Sequence, residues 1–153
     1  MLVIDADLKR FFESEVDVIV GTSDSHNLPH MVRAWGPKVV PNGTAIDLFV
    51  DLPKGTDVLR DLRETGRVAV VFVLPETARA VQIKGRCLEI ADAESDDLPW
   101  IDNHRQAFAR GVAPFGYAPH IVRSLWSTQV KRVRVSTETA FDQTPGPAAG
   151  KPL

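Results

Sequence analysis

Apolar and polar residues alternate along several short stretches of this chain, and the alternation predicts β-strands. Between residues 16 and 22, for example, valines at every second position alternate with Asp17, Ile19 and Gly21, as is typical of a strand with one buried face. Residues 67–73 are apolar on both faces, which is expected of a central strand covered on each side. The stretches predicted as strands are 16–22, 29–36, 44–51, 67–73, 79–89 and 129–135.

Four other stretches have apolar residues at helical spacing and predict short helices. Asp5 or Asp7 is the expected N-cap of the first helix. The second begins at Thr56 or Asp57 and ends before Gly66, a residue suited to the end of a helix. The stretches predicted as helices are 5–14, 56–65, 99–110 and 119–126.

Most of the predicted strands are joined by short links, and this arrangement indicates the fold class. A doubly wound parallel sheet would need a helix after nearly every strand. The pattern therefore predicts a mainly β (α+β) fold, a six-stranded split β-barrel with a few short flanking helices. The acidic segment 89–102 is interpreted as a solvated connection into the third helix. We expect one split-barrel domain over residues 1–142 and a Pro- and Gly-rich C-terminal tail over 143–153.

Charge and hydropathy argue against several classes of partner. The formal net charge of −2 supplies no global attraction for nucleic acid or anionic lipid. A basic stretch between Ile121 and Thr137 has little aromatic interleaving for base stacking. The longest apolar run, 68–74, is far shorter than the ~20 residues that span a bilayer, and the N-terminal segment becomes acidic at Asp5, too early for a signal peptide. We therefore expect a cytoplasmic protein that binds neither nucleic acid nor membrane.

The common catalytic and metal-binding motifs are absent from the sequence. There is no Gly-x-Gly-x-x-Gly after a strand, no phosphate-binding loop of the Gly-Lys-Ser type and no Gly-x-Ser-x-Gly elbow. His26 and His30 are four residues apart, but Pro29 between them denies the helix that would align both on a metal, so no metal site is expected. Cys87 has no neighbouring histidine and is interpreted as a buried spectator thiol. No catalytic residue is assigned.

Polar side chains converge on strand positions that would otherwise be apolar. Because alternate residues of a strand point to the same side, Met31, Arg33 and Trp35 share one face of the second strand. By the same geometry, Gln82 and Lys84 share one face of the fifth strand. These two faces are candidates for one side of a binding site.

The start of the second helix is a candidate anion site. Unpaired backbone N–H groups and the helix dipole favour a negative charge there, and Lys54 and Thr56 would add a cation and a hydroxyl. The pattern predicts a phosphate cradle at this position. The same pattern is also typical of a solvent-facing sheet side with ordinary helix capping, and this alternative stays open.

Five segments together resemble the pyridoxamine 5'-phosphate oxidase-like FMN-binding split barrels. The resemblance covers about residues 5–90 and is one of strand and turn pattern. It implies a six-stranded split barrel that dimerises, with two FMN molecules held at the subunit interface. The expected function is that of an FMN-binding protein, in the active case a flavin-dependent oxidoreductase acting on an unknown small molecule. The segments are Val18–Thr22, Pro29–Gly36, Leu59–Leu62, Arg67–Phe72 and Val81–Gly85.

The resemblance also implies roles for single residues. Arg33 matches a basic residue of the second strand that meets the flavin or its phosphate, and Thr56 matches a phosphate-binding hydroxyl. Gln82 would meet the edge of the flavin ring, and Trp35 or Trp126 would stack on it. The predicted cofactor-binding residues are Arg33, Trp35, Lys54, Thr56, Gln82, Lys84 and Trp126.

One departure from the family pattern keeps other functions open. The oxidase has an Arg-Lys pair after its phosphate-binding hydroxyl, whereas this chain has Asp57-Val58, which removes two cations and introduces an anion. The first alternative is therefore a non-enzymatic dimeric module that has lost the cofactor. The second is a relative that holds haem or a deazaflavin, with His120 or His104 as the candidate haem ligand.

Overall fold

The computed structural model describes residues 1–153, and its strands and helices lie close to the predicted stretches. The six predicted strands correspond to β1–β6, and the four predicted helices correspond to α1–α4. The strands are β1 (Asp17–Ser23), β2 (Pro29–Val39), β3 (Ala45–Asp51), β4 (Arg67–Val73), β5 (Ala80–Asp92), β6 (Val130–Ser136) and β7 (Thr139–Asp142). The helices are α1 (Ala6–Phe12), α2 (Thr56–Glu64), α3 (Asp97–Val112) and α4 (Pro119–Arg123), with a 3₁₀ turn at Ala113–Phe115.

The strands close into an antiparallel barrel. They run in the order β4-β1-β2-β3-β6-β5-β7, and a further pairing of β4 with β5 closes the ring of six. The mainly β fold with a six-stranded barrel and four short helices confirms the predicted fold class. β7 is an additional strand that pairs only with β5.

Two element predictions need correction. The acidic segment 89–102 is not all connection, because β5 continues to Asp92 and pairs with β6 through Ile90 and Ala91. β7 is a strand that the sequence pattern does not predict, since four residues are too few to show a period. After β7, the backbone of the predicted tail turns back, and the Leu153 amide donates to the Ala140 carbonyl at 3.0 Å.

The barrel interior forms the main hydrophobic core. Every second residue of β1 points inward, as the alternation predicts, so that Val18 and Val20 are fully buried. From outside, α1 adds Phe12 and α2 adds Leu59 and Leu62 to the same core. Gly85 allows β5 to approach β6, because a Cβ there would lie only 1.9 Å from the Ser136 carbonyl oxygen.

A second, smaller core lies outside the barrel. Trp35 of β2 and Phe49 of β3 point outward, and α3 covers them with Ile101 and Phe108. All four side chains are at most 5% exposed. None of the helices combines the length and the hydropathy that a transmembrane helix requires.

Candidate functional site

The outward side of four neighbouring strands forms a surface that we call the outer sheet face. It consists of outward residues of β2, β1, β4 and β5. One row of paired residues crosses its centre: Arg33 pairs with Ile19, Ile19 with Val71, and Val71 with Gln82. Ile19 and Val71 remain partly exposed, so the centre of the face is apolar and open. The residues of the outer sheet face are Asp17, Ile19, Gly21, Met31, Arg33, Ala69, Val71, Val73, Gln82 and Lys84.

Arg33 stands at one end of the central row and is held by an ion pair. Its Nε and Nη2 donate to the two carboxylate oxygens of Asp17 at 2.6 and 3.0 Å, and its guanidinium lies 5.6 Å from the centre of the Phe108 ring. The hydrogen bond to Asp17 raises the pKa of Arg33. Arg33 is therefore oriented in advance, but Asp17 offsets much of its charge.

Gln82 and Lys84 lie at the opposite side of the face, on β5. Neighbouring strands are 4.7–4.9 Å apart, so three strand spacings separate Arg33 from Gln82 by about 14 Å along the sheet. The Gln82 amide makes no side-chain hydrogen bond, and the Lys84 ammonium lies over the Phe141 ring at 5.3 Å without a carboxylate partner. Arg33, Gln82 and Lys84 are thus brought to one surface, as their strand positions predict.

Lys54 and Thr56 lie at the start of α2, where the sequence predicts a phosphate cradle. Gly55 is the N-cap and provides no side-chain hydrogen bond to the helix. The Thr56 hydroxyl donates to the Pro53 carbonyl at 2.6 Å, and Lys54 Nζ donates to the Leu125 carbonyl at 3.1 Å. Both side chains are exposed and bond only neutral carbonyl groups. The Asp57 carboxylate lies in the same first turn of α2 and pairs with Arg60 at 2.9 Å.

The two tryptophans lie apart from the open centre of the face. Trp35 is 1% exposed, and its indole N–H donates to Asp51 at 2.8 Å. The predicted stacking of Trp35 on a flavin does not fit this burial, because α3 already covers the ring. Trp126 packs edge-on against Trp35 with ring centres 6.4 Å apart and is partly exposed.

Two cavities adjoin the outer sheet face. The first, the cationic pocket, has a volume of about 700 Å³, and its charged lining residues include Arg67, Lys84 and Arg86. The second, the aromatic pocket, has a volume of about 640 Å³ and is lined by Arg33 and by apolar side chains of the α3–α4 region. The face therefore has a cationic end, an apolar centre and an aromatic end, an arrangement suited to a flat ligand with an anionic group.

Comparisons with known proteins establish the fold. No protein-family model matches the chain, and no curated protein matches it in sequence. Its structure is similar to HupZ from Group A Streptococcus, with a TM-score of 0.59, 14% identity, and 97% of this chain and 100% of the other covered. A Clostridium acetobutylicum protein related to general stress protein 26, of the pyridoxinephosphate oxidase family, has a TM-score of 0.52 and 13% identity, with 86% of this chain and 81% of the other covered. An FMN-binding protein from Syntrophomonas wolfei has a TM-score of 0.52 and 8% identity, with 90% of this chain and 87% of the other covered.

The chain has the pyridoxamine 5'-phosphate oxidase-like split-barrel fold. The likeness spans most of each chain, and it confirms the fold that the strand and turn pattern predicts. At these identities it establishes the fold alone.

Within this split barrel, one polar cluster under α3 has no sequence signal. Asp51, at the end of β3, is 2% exposed and accepts from Trp35 and from Arg105 Nη2 at 2.5 Å. The Arg105 guanidinium also lies over the rings of Trp35 and Trp126, at 5.5 and 5.7 Å. Burial raises the pKa of Asp51. Arg105 is 54 residues from Asp51 in the sequence, so no local pattern indicates that they meet.

A second polar group missed by the sequence analysis ties α2 to the first two strands. Asp61 is fully buried and accepts from the Thr22 hydroxyl at 2.7 Å. It also bonds His30 Nδ1 at 2.8 Å. In the sequence, Asp61 lies between the apolar residues Leu59 and Leu62, as a polar residue of an ordinary amphipathic helix does. The pattern therefore does not predict that Asp61 is buried.

His104 is not available as a haem ligand in this split barrel. Its Nδ1 accepts from the Gly36 amide and its Nε2 donates to the Val16 carbonyl, both at 3.0 Å. Burial lowers the pKa of His104 to about 4, so the ring is neutral at pH 7. The other haem candidate, His120, is exposed on the short α4.

The basic stretch of β6 is matched by carboxylates. Arg134 donates to both oxygens of Asp47 at 2.7 and 2.9 Å, and Arg132 donates to Glu89 at 3.0 Å. Lys131 pairs with an aspartate of β5. These cations therefore stabilise the sheet pairing instead of forming a uniformly positive surface. Cys87, in β5, is half-buried, and burial raises the pKa of its thiol.

Proposed function

We propose that this chain binds FMN on the outer sheet face and acts as a homodimer in which a second copy covers that face. The observation that carries the proposal is the central row of the face, in which two β-branched side chains, Ile19 and Val71, lie open between Arg33 and Gln82. An apolar floor with polar groups at its ends suits a flat aromatic ring with polar edges. The FMN-binding protein with the same fold supports the choice of cofactor.

Residues of the face, together with Lys54 and Thr56 at the start of α2, would bind different parts of FMN. Ile19 and Val71 would contact the ring, and the Gln82 amide, which has no partner in the chain, would bind its polar edge. Lys54 and Thr56, together with the N–H groups of the first turn of α2, would bind the phosphate. Arg33 would orient the ring from the opposite end, since Asp17 already fixes its guanidinium.

A second copy is proposed because the face is open and bordered by exposed apolar side chains. Met31 is 76% exposed on the face itself, and Phe115, Tyr117 and Ile121 are each at least 50% exposed beside the aromatic pocket. Exposed apolar side chains clustered beside a pocket, as at the aromatic end of the face, are typical of an interaction site. A twofold dimer would bring two such faces together and shield two bound cofactors.

The proposed reaction class is flavin-dependent oxidation or reduction of a small molecule. Bound FMN supplies the hydride and electron chemistry, while the protein supplies binding, orientation and exclusion of water. The open aromatic pocket next to Arg33 is the proposed place for the substrate. Its aromatic lining favours a flat or apolar ligand.

Titration with FMN tests this function. The purified protein should quench flavin fluorescence, and Gln82→Ala should weaken binding by about tenfold, because one buried hydrogen bond is lost. Thr77→Ala, in the exposed turn before β5, is the control and should bind as the wild type does. A wild-type protein that binds no FMN, or that binds a deazaflavin or haem in its place, would refute the proposal.

Sedimentation tests the dimer separately. Met31→Asp should give a monomer, because two buried carboxylates at an interface are costly. Leu88→Asp is the matched control, since Leu88 is 58% exposed and is not one of the residues of the outer sheet face, and this variant should remain dimeric. A wild-type protein that sediments as a monomer at micromolar concentration would contradict the proposed assembly.

A further inference from the structure

The cationic pocket contains two arginines that face each other directly. Arg67 of β4 and Arg86 of β5 are register partners, and like charges at directly opposite positions destabilise a sheet. Lys84 lies two residues before Arg86 on the same side of β5, opposite Ala69. Three cations therefore border one cavity at a cost to the folded chain.

No carboxylate within the chain forms an ion pair with these three cations. Arg67 Nη2 donates to the neutral oxygens of Ser23 and Asn27 at 3.3 Å, and Arg86 Nη1 donates to the Thr65 carbonyl at 3.3 Å. Glu138 is the one acidic residue that lines the cavity, and it forms no ion pair. Most of the donor groups of the three cations are thus free.

The rest of the sheet shows that this arrangement is unusual for the molecule. The outward arginines of β2 and β6 each have a carboxylate partner: Arg33 with Asp17, and Arg134 with Asp47. Among the arginines of the strands, only Arg67 and Arg86 have no carboxylate partner. These three cations are exposed, so an anionic ligand can reach Arg67, Lys84 and Arg86 from outside the chain and supply the negative charge that the chain does not.

The floor of the pocket leaves room for such a group. Gly21 and Ala69 are register partners below the cations, and neither has a side chain that fills the space above the sheet. The cavity of about 700 Å³ is larger than a phosphate ion needs. It can hold a phosphate together with the molecule that carries it.

We propose that the cationic pocket binds a phosphoryl group of a small molecule, with Arg67, Lys84 and Arg86 as its ligands. Guanidinium groups match phosphate oxygens with paired N–H donors, and an ammonium adds a third charge-assisted hydrogen bond. The phosphoryl group belongs either to FMN itself or to a separate phosphorylated ligand. The site differs from the α2 N-terminus, where Lys54 and Thr56 are the proposed phosphate ligands.

Binding of inorganic phosphate to the flavin-free protein tests this site independently of FMN binding. Calorimetry at low salt should show phosphate binding that sodium chloride of equal ionic strength does not reproduce. Arg86→Gln should weaken it by about tenfold, because one charge-assisted contact is lost. Arg123→Gln removes an exposed, unpaired cation outside the pocket and should leave binding unchanged. Equal binding by wild type and Arg86→Gln would overturn the proposal.

A charge reversal gives a second readout that a purely structural arginine would not show. Arg86→Glu places opposite charges at the facing positions, so the free protein should have a higher melting temperature at low salt, while phosphate no longer raises that temperature. A lower melting temperature with the phosphate effect retained would overturn the proposal. Retention on single-stranded DNA without phosphate binding would also overturn it, in favour of a nucleic-acid surface.

Binding of FMN and of riboflavin, which lacks the phosphate, shows whether the phosphoryl group in the pocket belongs to FMN or to a separate ligand. If the phosphate of FMN occupies the pocket, Arg86→Gln weakens the binding of FMN and leaves that of riboflavin unchanged. If a separate ligand occupies it, Arg86→Gln leaves both flavins unchanged and weakens only inorganic phosphate.

Discussion

The outward surface of the barrel has two parts that differ in what covers them. In the covered part, α3 packs over Trp35 and Phe49, and the buried Asp51 meets the charge of Arg105. In the outer sheet face, Ile19 and Val71 are partly exposed. The covered part resembles a core, and its one buried carboxylate, Asp51, is paired inside the chain with Trp35 and Arg105. The open part has unpaired cations and uncovered apolar side chains, so it is the part expected to meet a ligand and a second subunit.

The boundary between these two parts crosses a single strand. Arg33 and Trp35 are two residues apart on the same side of β2, yet Trp35 is buried under α3 and Arg33 reaches the open face. A strand pattern shows which side a residue takes, but not what packs on that side.

The largest effect is expected in the covered part, at Asp51. Asp51→Ala removes the acceptor of both Trp35 and Arg105 and leaves a largely buried guanidinium without its carboxylate, so the free energy of unfolding should fall by about 3–5 kcal/mol. Urea denaturation measures this. Asp57→Ala, exposed on α2, is the control, with an expected change within about 0.5 kcal/mol. Equal effects of the two substitutions would remove the distinction between buried and exposed carboxylates.

Stability should also depend on pH through His104, under α3. The folded pKa is lowered to about 4, whereas the unfolded chain takes up the proton near pH 6.5. Protonation of His104 therefore favours the unfolded state. The stability that the folded chain has at pH 7, where the ring is neutral, is lost as the pH falls. We expect a loss of about 2 kcal/mol between pH 7 and pH 5.

Denaturation at several pH values checks the role of His104. His104→Gln should flatten the slope between pH 7 and pH 5, while His26→Gln, in the exposed turn after β1, should keep it. An unchanged slope in His104→Gln would show that another group is responsible.

Two neighbouring valines of β4 compare the barrel interior with the open face. Val70 is fully buried inside the barrel, and Val71 points to the outer sheet face. In the flavin-free monomer, Val70→Ala should cost about 2 kcal/mol and Val71→Ala about 1 kcal/mol or less, in proportion to the apolar area each removes from water. Only Val71→Ala should weaken dimerisation and FMN binding. The reverse order of stabilities would mean that the open face is part of the core.

The smallest effect on stability is expected at the start of α2. Lys54→Ala and Thr56→Ala should each change the free energy of unfolding by no more than about 0.5 kcal/mol, since both side chains are exposed. If they bind the FMN phosphate, the affinity for FMN falls while riboflavin binding does not. Unchanged FMN affinity in both variants would show that the FMN phosphate does not bind at the start of α2.

The sequence predicts much of the barrel and little of the buried polar pairing. Alternation places Val18 inward and Ile19 outward correctly, because the period of a strand is local. The burial of Trp35 depends on α3, which lies more than sixty residues later in the chain. The pairs Asp51–Arg105 and Asp61–His30 likewise join residues that are distant in sequence. The sequence does not predict that Arg67 and Arg86 face each other, because this depends on the register of β4 and β5.

The proposed flavin site lies in the open part of the surface and not in the covered part. A two-dimensional ¹H–¹⁵N NMR titration with FMN tests it residue by residue. We expect chemical-shift changes at Ile19, Val71 and Gln82, with Phe49 and Ile101 unaffected. Shift changes confined to the residues under α3, or no changes at saturating FMN, would contradict it.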